Sequence, residues 1–166
     1  MSADAPSPED HAATQETGGA QPGGYVRRVK IAVPPVAPGF SRRARLDALL
    51  DAAVEHALTE VIAGGGFGKT TLLAAWARQN ASSRAVAWLT LDPADADLRR
   101  FAAHVAAAIR QAAPGSLPAL DLLLNGARPP DPETIADLIA DGLLDLPAPL
   151  ALIIDDVQAL AGAPPE

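Results

Sequence analysis

The sequence predicts an α/β fold in which helices pack on a parallel sheet, and three observations carry that expectation. Short apolar runs around Val61 and Ile62, at Ala85–Leu91 (AVAWLTL) and at Leu150–Gln158 (LALIIDDVQ) have the length of buried strands, and helical patterns separate them. The first run opens into a glycine-rich turn and a helical start, Leu58 to Leu73, LTEVIAGGGFGKTTLL. The last run ends in two adjacent carboxylates, Asp155 and Asp156.

The glycine-rich stretch reads as a phosphate-binding loop. After a strand centred on Val61 and Ile62 the chain must reverse tightly and aim several backbone N–H groups at one spot, which explains the cluster of Gly64, Gly65 and Gly66. The next helix begins near Gly68, so its unpaired N–H groups and positive dipole end face the same spot, and Lys69 adds a full charge. Thr70 offers a hydroxyl to a magnesium ion. Against the pattern G-x-x-x-x-G-K-[ST], Ala63 stands at the first glycine position, while the part that touches phosphate, Gly66 to Thr71, is intact.

Composition sets limits on the rest. With 49% hydrophobic residues but only 4% aromatic, the core must be built from small aliphatic side chains. A net charge of -7 argues against a bulk electrostatic grip on nucleic acid or an anionic membrane. The chain has no cysteine, which excludes disulfides, thiolate zinc sites and a cysteine nucleophile and is compatible with a cytoplasmic location. The three histidines show no metal-ligand spacing.

Taken in order, residues 1–24 are rich in Ala, Pro, Gly, Ser and acidic residues, lack a secretory pattern, and read as a disordered tail. Residues 25–40 form a lead-in strand or linker, since Pro34, Pro35 and Pro38 favour extended backbone, and Arg27, Arg28 and Lys30 read as a solvated basic face. Residues 41–166 make the body. Ser41 is placed to cap a helix through Leu46, Leu49, Leu50 and Val54, and Glu60 is expected at the exposed lower end of the first strand. Leu72, Leu73, Trp76 and Ala77 form the apolar stripe of the helix after the loop, and Trp76 and Trp88 read as core. Leu98, Phe101, Val105 and Ile109 predict a helix to about Ala112, with His104 beside its stripe as a packing or surface residue. A short helix follows at about Ala119–Leu124, and Asp131-Pro132-Glu133 opens another that buries Ile135, Leu138, Ile139 and Leu143. No unbroken apolar stretch is long enough to cross a bilayer.

The strand ending in Asp155 and Asp156 has the form of a Walker B segment. Asp155 is placed to hold magnesium opposite the Thr70 hydroxyl, and Asp156 to orient or polarise an attacking water, although it is one methylene shorter than the glutamate often found there. Lys69 and Asp156 are thus the candidate catalytic residues.

The runs RRARL, VIAGGGFGKTTLLAAWA, VAWLTLDPADADLRRFAAHVAAAIR and LALIIDDVQAL together resemble the N-terminal ATPase region of the large LuxR-type transcriptional regulators, signal-transducing P-loop ATPases of the STAND class. Arg43, Arg45 and Leu46 match that family's Arg-x-Arg-Leu lead-in. Gly64 and Gly65 replace its Pro-Ala, and Gln158 stands where the family often has histidine. The resemblance implies a P-loop three-layer sandwich, ATP and Mg2+ as cofactors, and nucleotide contacts from Arg43, Gly64, Gly65, Gly66, Phe67, Gly68, Lys69, Thr70 and Thr71, with Thr70 and Asp155 on the metal. It implies a switch that self-associates with ATP and resets on hydrolysis to ADP, with DNA bound by a C-terminal domain outside this chain. It also implies a sheet order in which a later strand separates the loop strand from the Walker B strand, so that a chain ending at APPE is expected to be incomplete and to bind ATP weakly. Two other readings share the loop, namely a small P-loop kinase, for which no arginine-bearing lid is evident, and a non-catalytic nucleotide-binding or oligomerisation module.

Overall fold

The computed structural model describes residues 26–127 and 131–162, so the expected tail at 1–24 lies outside the described residues. Six α-helices and two strands follow in order: α1 Arg28–Ile31, α2 Ala44–Ala53, α3 Lys69–Asn80, β1 Ala85–Thr90, α4 Leu98–Ala112, α5 Pro118–Asn125, α6 Pro132–Leu144 and β2 Leu150–Asp155. Single 3-10 turns at Pro93–Ala96 and Val157–Leu160 follow β1 and β2.

β1 and β2 pair in parallel, from Ala85 opposite Leu150 to Thr90 opposite Asp155. Because successive strand residues face opposite ways, the ladder has two apolar faces, and helices cover both. Ala87 and Leu89 of β1, with Leu150, Leu152 and Ile154 of β2, face the larger cluster built on α4, α5 and α6. Trp88 and Ile153 face a smaller one with Ala74, Trp76 and Ala77 of α3. The result is a mixed helix and strand body with a small parallel sheet between helical layers.

The helices form where local chemistry asks for them. α4 is capped by Asp97, whose carboxylate accepts the Arg100 N–H at 2.7 Å, and it buries Ala102, Val105, Ala106 and Ile109 at helical spacing. α6 starts at Asp131, which accepts the Thr134 N–H at 2.9 Å, with Pro132 at its first position. Leu117, buried with a left-handed φ of 59°, enters α5 pressed against Gly142 of α6, where a β-carbon would collide with its side chain. That close approach explains a glycine in a helix interior.

Three expectations are corrected. Residues 58–64, around Val61 and Ile62, form no strand, and Ile62 is 86% exposed. The segment has no strand beside it to supply a ladder, so an apolar run alone does not make it one. Glu60 is exposed, as expected, but outside any sheet. Second, the lead-in contains the one-turn helix α1, and Lys30 lies not on a solvated face but 5% exposed among acidic groups. Third, α2 begins at Ala44 after Arg43 with no side-chain cap, two residues later than a Ser41 cap would place it. His104, expected to pack or to lie at the surface, packs: it is 1% exposed and belongs to the same polar cluster as Lys30.

That cluster pins α1 to the body. Lys30 Nζ donates to Asp95 and lies 3.1 Å from Asp92 Oδ2. Asp95 Oδ2 also accepts the Asp92 N–H at 2.9 Å, closing a capping box with the Asp92 side chain around the Pro93 turn. Burial pushes the Asp95 carboxyl up, but Lys30, the Asp92 N–H and His104 outweigh it and hold it below the ordinary carboxylate range.

Ile109 is fully buried in the larger cluster, whereas Leu122 of α5 is 77% exposed. Ile109→Ala is expected to lower stability by about 2–5 kcal/mol, and Leu122→Ala by no more than about 0.5 kcal/mol, both read from urea midpoints.

Candidate phosphate and cation site

The loop preceding α3 takes its shape from two glycines with positive φ, Gly66 at 76° and Gly68 at 81°. Gly68 is the N-cap of α3, so the helix start and its unpaired N–H groups follow the turn directly. A β-carbon at Gly65, Gly66 or Gly68 would meet nothing within 4 Å, which leaves the concave side of the loop clear. Gly64 differs, because the Phe67 ring packs against it at 3.0 Å from where a β-carbon would sit, although Phe67 itself is 74% exposed. Lys69 turns back over the loop, its Nζ donating to the Ala63 carbonyl at 2.8 Å and the Gly64 carbonyl at 3.1 Å. The ammonium thus braces the turn at the mouth of the helix.

The sheet delivers the carboxylates to the same end of the molecule. Thr70 Oγ1 donates to Asp155 Oδ2 at 2.8 Å, joining residues 85 apart in sequence, and Asp155 is 7% exposed. Asp156 follows in a left-handed conformation, φ 58°, which an aspartate tolerates better than most residues. Its exposed carboxylate accepts the Gln158 Nε2 at 2.8 Å. This contact was not foreseen; Gln158 sits two residues on, a spacing at which turn side chains commonly meet. Thr71 is half-buried in the first turn of α3. Arg43 lies exposed at the start of α2, and among the described residues no hydrogen bond joins its side chain to the loop.

Between residues 58–62 and β2 lies a groove of about 560 Å³, lined by Val61, Ile62, Leu73, Trp76 and Ile153, with Lys69 and Asp155 also on its wall. The sheet has two strands, so among the described residues no strand pairs with the second edge of β2. α3 is fixed from behind. Trp76 Nε1 donates to Asp51 of α2 at 2.8 Å, and Arg78 donates to the Val33 and Pro34 carbonyls of the lead-in at 2.8 and 3.1 Å.

A hydroxyl beside a carboxylate is an oxygen-only pair suited to a hard cation such as magnesium, which takes few protein ligands and keeps water or phosphate for the rest. The Thr70 hydroxyl and the Asp155 carboxylate have the chemistry such an ion takes. Among the described residues no group of three or more His, Cys, Asp or Glu is placed to hold a metal ion.

The chain is 34% identical over 121 residues to the HTH-type transcriptional regulator MalT of Cronobacter sakazakii, and 32% identical over 118 residues to those of two Klebsiella pneumoniae strains. This chain is homologous to MalT. The similarity spans 71% of the chain and 13% of each MalT protein, so the chain corresponds to a small part of that regulator. No family model matches it. No helix among the described residues is long and apolar enough to cross a membrane.

Replacing Thr70 by Val removes the hydroxyl that satisfies a largely buried carboxylate. Thr70→Val is expected to destabilise the protein by about 1–3 kcal/mol, read as a lowered urea midpoint, whereas Thr71→Val should change it far less.

Proposed function

We propose that this chain is the ATP-binding switch module of a MalT-like transcriptional regulator, with residues 41–166 forming the N-terminal part of a P-loop domain of three-layer type. The observation that carries the reading is the 2.8 Å contact from Thr70 Oγ1 to Asp155 Oδ2, because it brings the end of the glycine-rich loop against the end of a buried strand. Two motifs that are weak apart become a site when they share one hydrogen bond.

In this reading the N–H groups of residues 64–70 and the start of α3 bind the phosphates. Lys69, held over the loop by the Ala63 and Gly64 carbonyls, presents its remaining proton and its charge to the outer phosphates. Phe67, exposed at the loop tip, and Arg43, at the start of α2, are assigned to the nucleoside side. Thr70 and Asp155 would hold magnesium, which when bound supplies charge neutralisation to the phosphate oxygens. Asp156, steadied by Gln158, orients a water for attack, and its short side chain makes turnover slow. In this reading the module serves transcriptional control in the cytoplasm, a role supported by homology to MalT. ATP favours self-association, ADP reverses it, and DNA is contacted by a region beyond this chain.

The unpaired segment at 58–64 bears on affinity. The loop hangs on its own turn and on Lys69 rather than on a ladder, so ordering it on binding costs entropy that a strand-anchored loop has already lost. Affinity for ATP is therefore weak in this chain.

The test is equilibrium binding of a fluorescent ATP analogue with magnesium to the full chain. Lys69→Ala is expected to weaken binding roughly 10- to 100-fold, the equivalent of about 1.5–3 kcal/mol for a charge-assisted contact. Asp155→Asn should remove the magnesium dependence while leaving metal-free binding. Wild-type binding that is indifferent to Lys69→Ala would overturn the assignment.

A further inference from the structure

The most buried titratable groups of the molecule lie away from the phosphate site, where α1 and the Pro93 turn meet α4. Asp95 and His104 are 2% and 1% exposed, and Lys30 5%. His104 Nε2 accepts the Arg27 N–H at 3.4 Å, so the proton of the neutral ring sits on Nδ1. Nδ1 lies 3.0 Å from Asp95 Oδ1, a close polar contact short of a full hydrogen bond. His104 therefore stands between the backbone at the start of α1 and the carboxylate that holds Lys30.

We propose that this cluster is a proton-operated latch, in which proton uptake by His104 releases α1 and the lead-in from α4. A second proton on the ring goes to Nε2, directly against the Arg27 N–H, and converts the only acceptor there into a donor. It also adds a cation where cations already crowd. The charged groups facing the ring are Asp95 from the Pro93 turn, Lys30 from α1 and Arg100 from α4 itself, with Arg100 Nε 3.3 Å from Asp95 Oδ1. Asp95 and Asp92, which already hold Lys30, Arg100 and Arg27, must then answer for a fourth positive charge.

The apolar anchor of α1 is small: Val29 is 71% exposed, while Ile31 is buried in the larger cluster with Val26 packed beside it, and the Ile31 carbonyl accepts from Gln111 at 3.3 Å. Opening α1 uncovers the Ile31 and Val26 side chains, while β1 and α4 keep the rest of the cluster, so release is local rather than global. Burial, foremost, holds the imidazole below its ordinary value of 6.5, Asp95 opposes this, and Lys30 and Arg100 reinforce it. A depressed histidine contributes stability that is complete above 6.5 and is lost as pH falls through the folded value, so the latch opens on the acid side.

The experiment is amide hydrogen exchange on the full chain between about pH 7.5 and about pH 5, each rate divided by the unprotected rate at that pH. From about 6.5 down to the lowered folded value of His104, protection of residues 27–31 should fall about tenfold per pH unit, the slope of one linked proton, and level off below it, while β1 amides keep theirs. His104→Gln, which retains an acceptor and a donor but does not titrate, should flatten the response. Should that variant fail to fold, the ring-proton shift of His104 in the wild type supplies the second measurement, and its midpoint must coincide with the pH at which α1 protection levels off. Protection of α1 that does not change with pH relative to β1, a pH response that survives in His104→Gln, or a ring midpoint apart from that levelling-off would each overturn the latch.

Discussion

Everything in this molecule hangs on the parallel pairing of six residues of β1 with six of β2. The ladder has a helical layer on each face, and each layer is apolar only where alternate strand residues meet it. A register slip of one residue would turn Ile153 away from α3 and towards α4, and would move every other β2 side chain with it. The same slip would shift Asp155 along the strand by about 3.3 Å, out of reach of Thr70. Core packing and the geometry of the candidate site are therefore fixed by one register. Neither can be adjusted without disturbing the other.

The parts of the fold that were legible in the sequence are those whose signal is local. α4 announces itself through apolar residues at helical spacing, and α6 through Asp131 followed by Pro132. β1 and β2 are short apolar runs closed by Asp92 and by Asp155, and both strands form where expected. What was not legible depends on a neighbour. Val61 and Ile62 have strand character, yet strand structure requires a second backbone to bond to, and none of the described residues supplies it. The burial of Lys30 depends on Asp95, 65 residues away, and a run of basic residues gives no hint of a carboxylate so distant in sequence.

The same division holds at the candidate site. Thr70 and Asp155 could be anticipated as partners because each ends a recognisable pattern, and a strand end facing a helix start leaves few other geometries. The return of Lys69 to the Ala63 and Gly64 carbonyls and the contact of Gln158 with Asp156 were not anticipated, since they depend on the exact path of two turns. The polar cluster around Asp95 had one readable component. Asp92 and Asp95 stand three apart across a proline, the spacing of a reciprocal cap, and that pattern alone would have marked Asp95 as turned inward.

Both tryptophans of the chain, Trp76 and Trp88, sit in the smaller cluster under α3, and the larger cluster has none. The intrinsic emission of the protein is consequently a one-sided signal. It is blind to rearrangements confined to α4, α5 and α6, and sensitive to the helix that carries the loop lysine. Trp76 also lines the groove beside β2 while its indole N–H is tied to Asp51, so water or a guest entering that groove would alter the colour of the emission at its source. The molecule carries a built-in optical probe of its loop-bearing half.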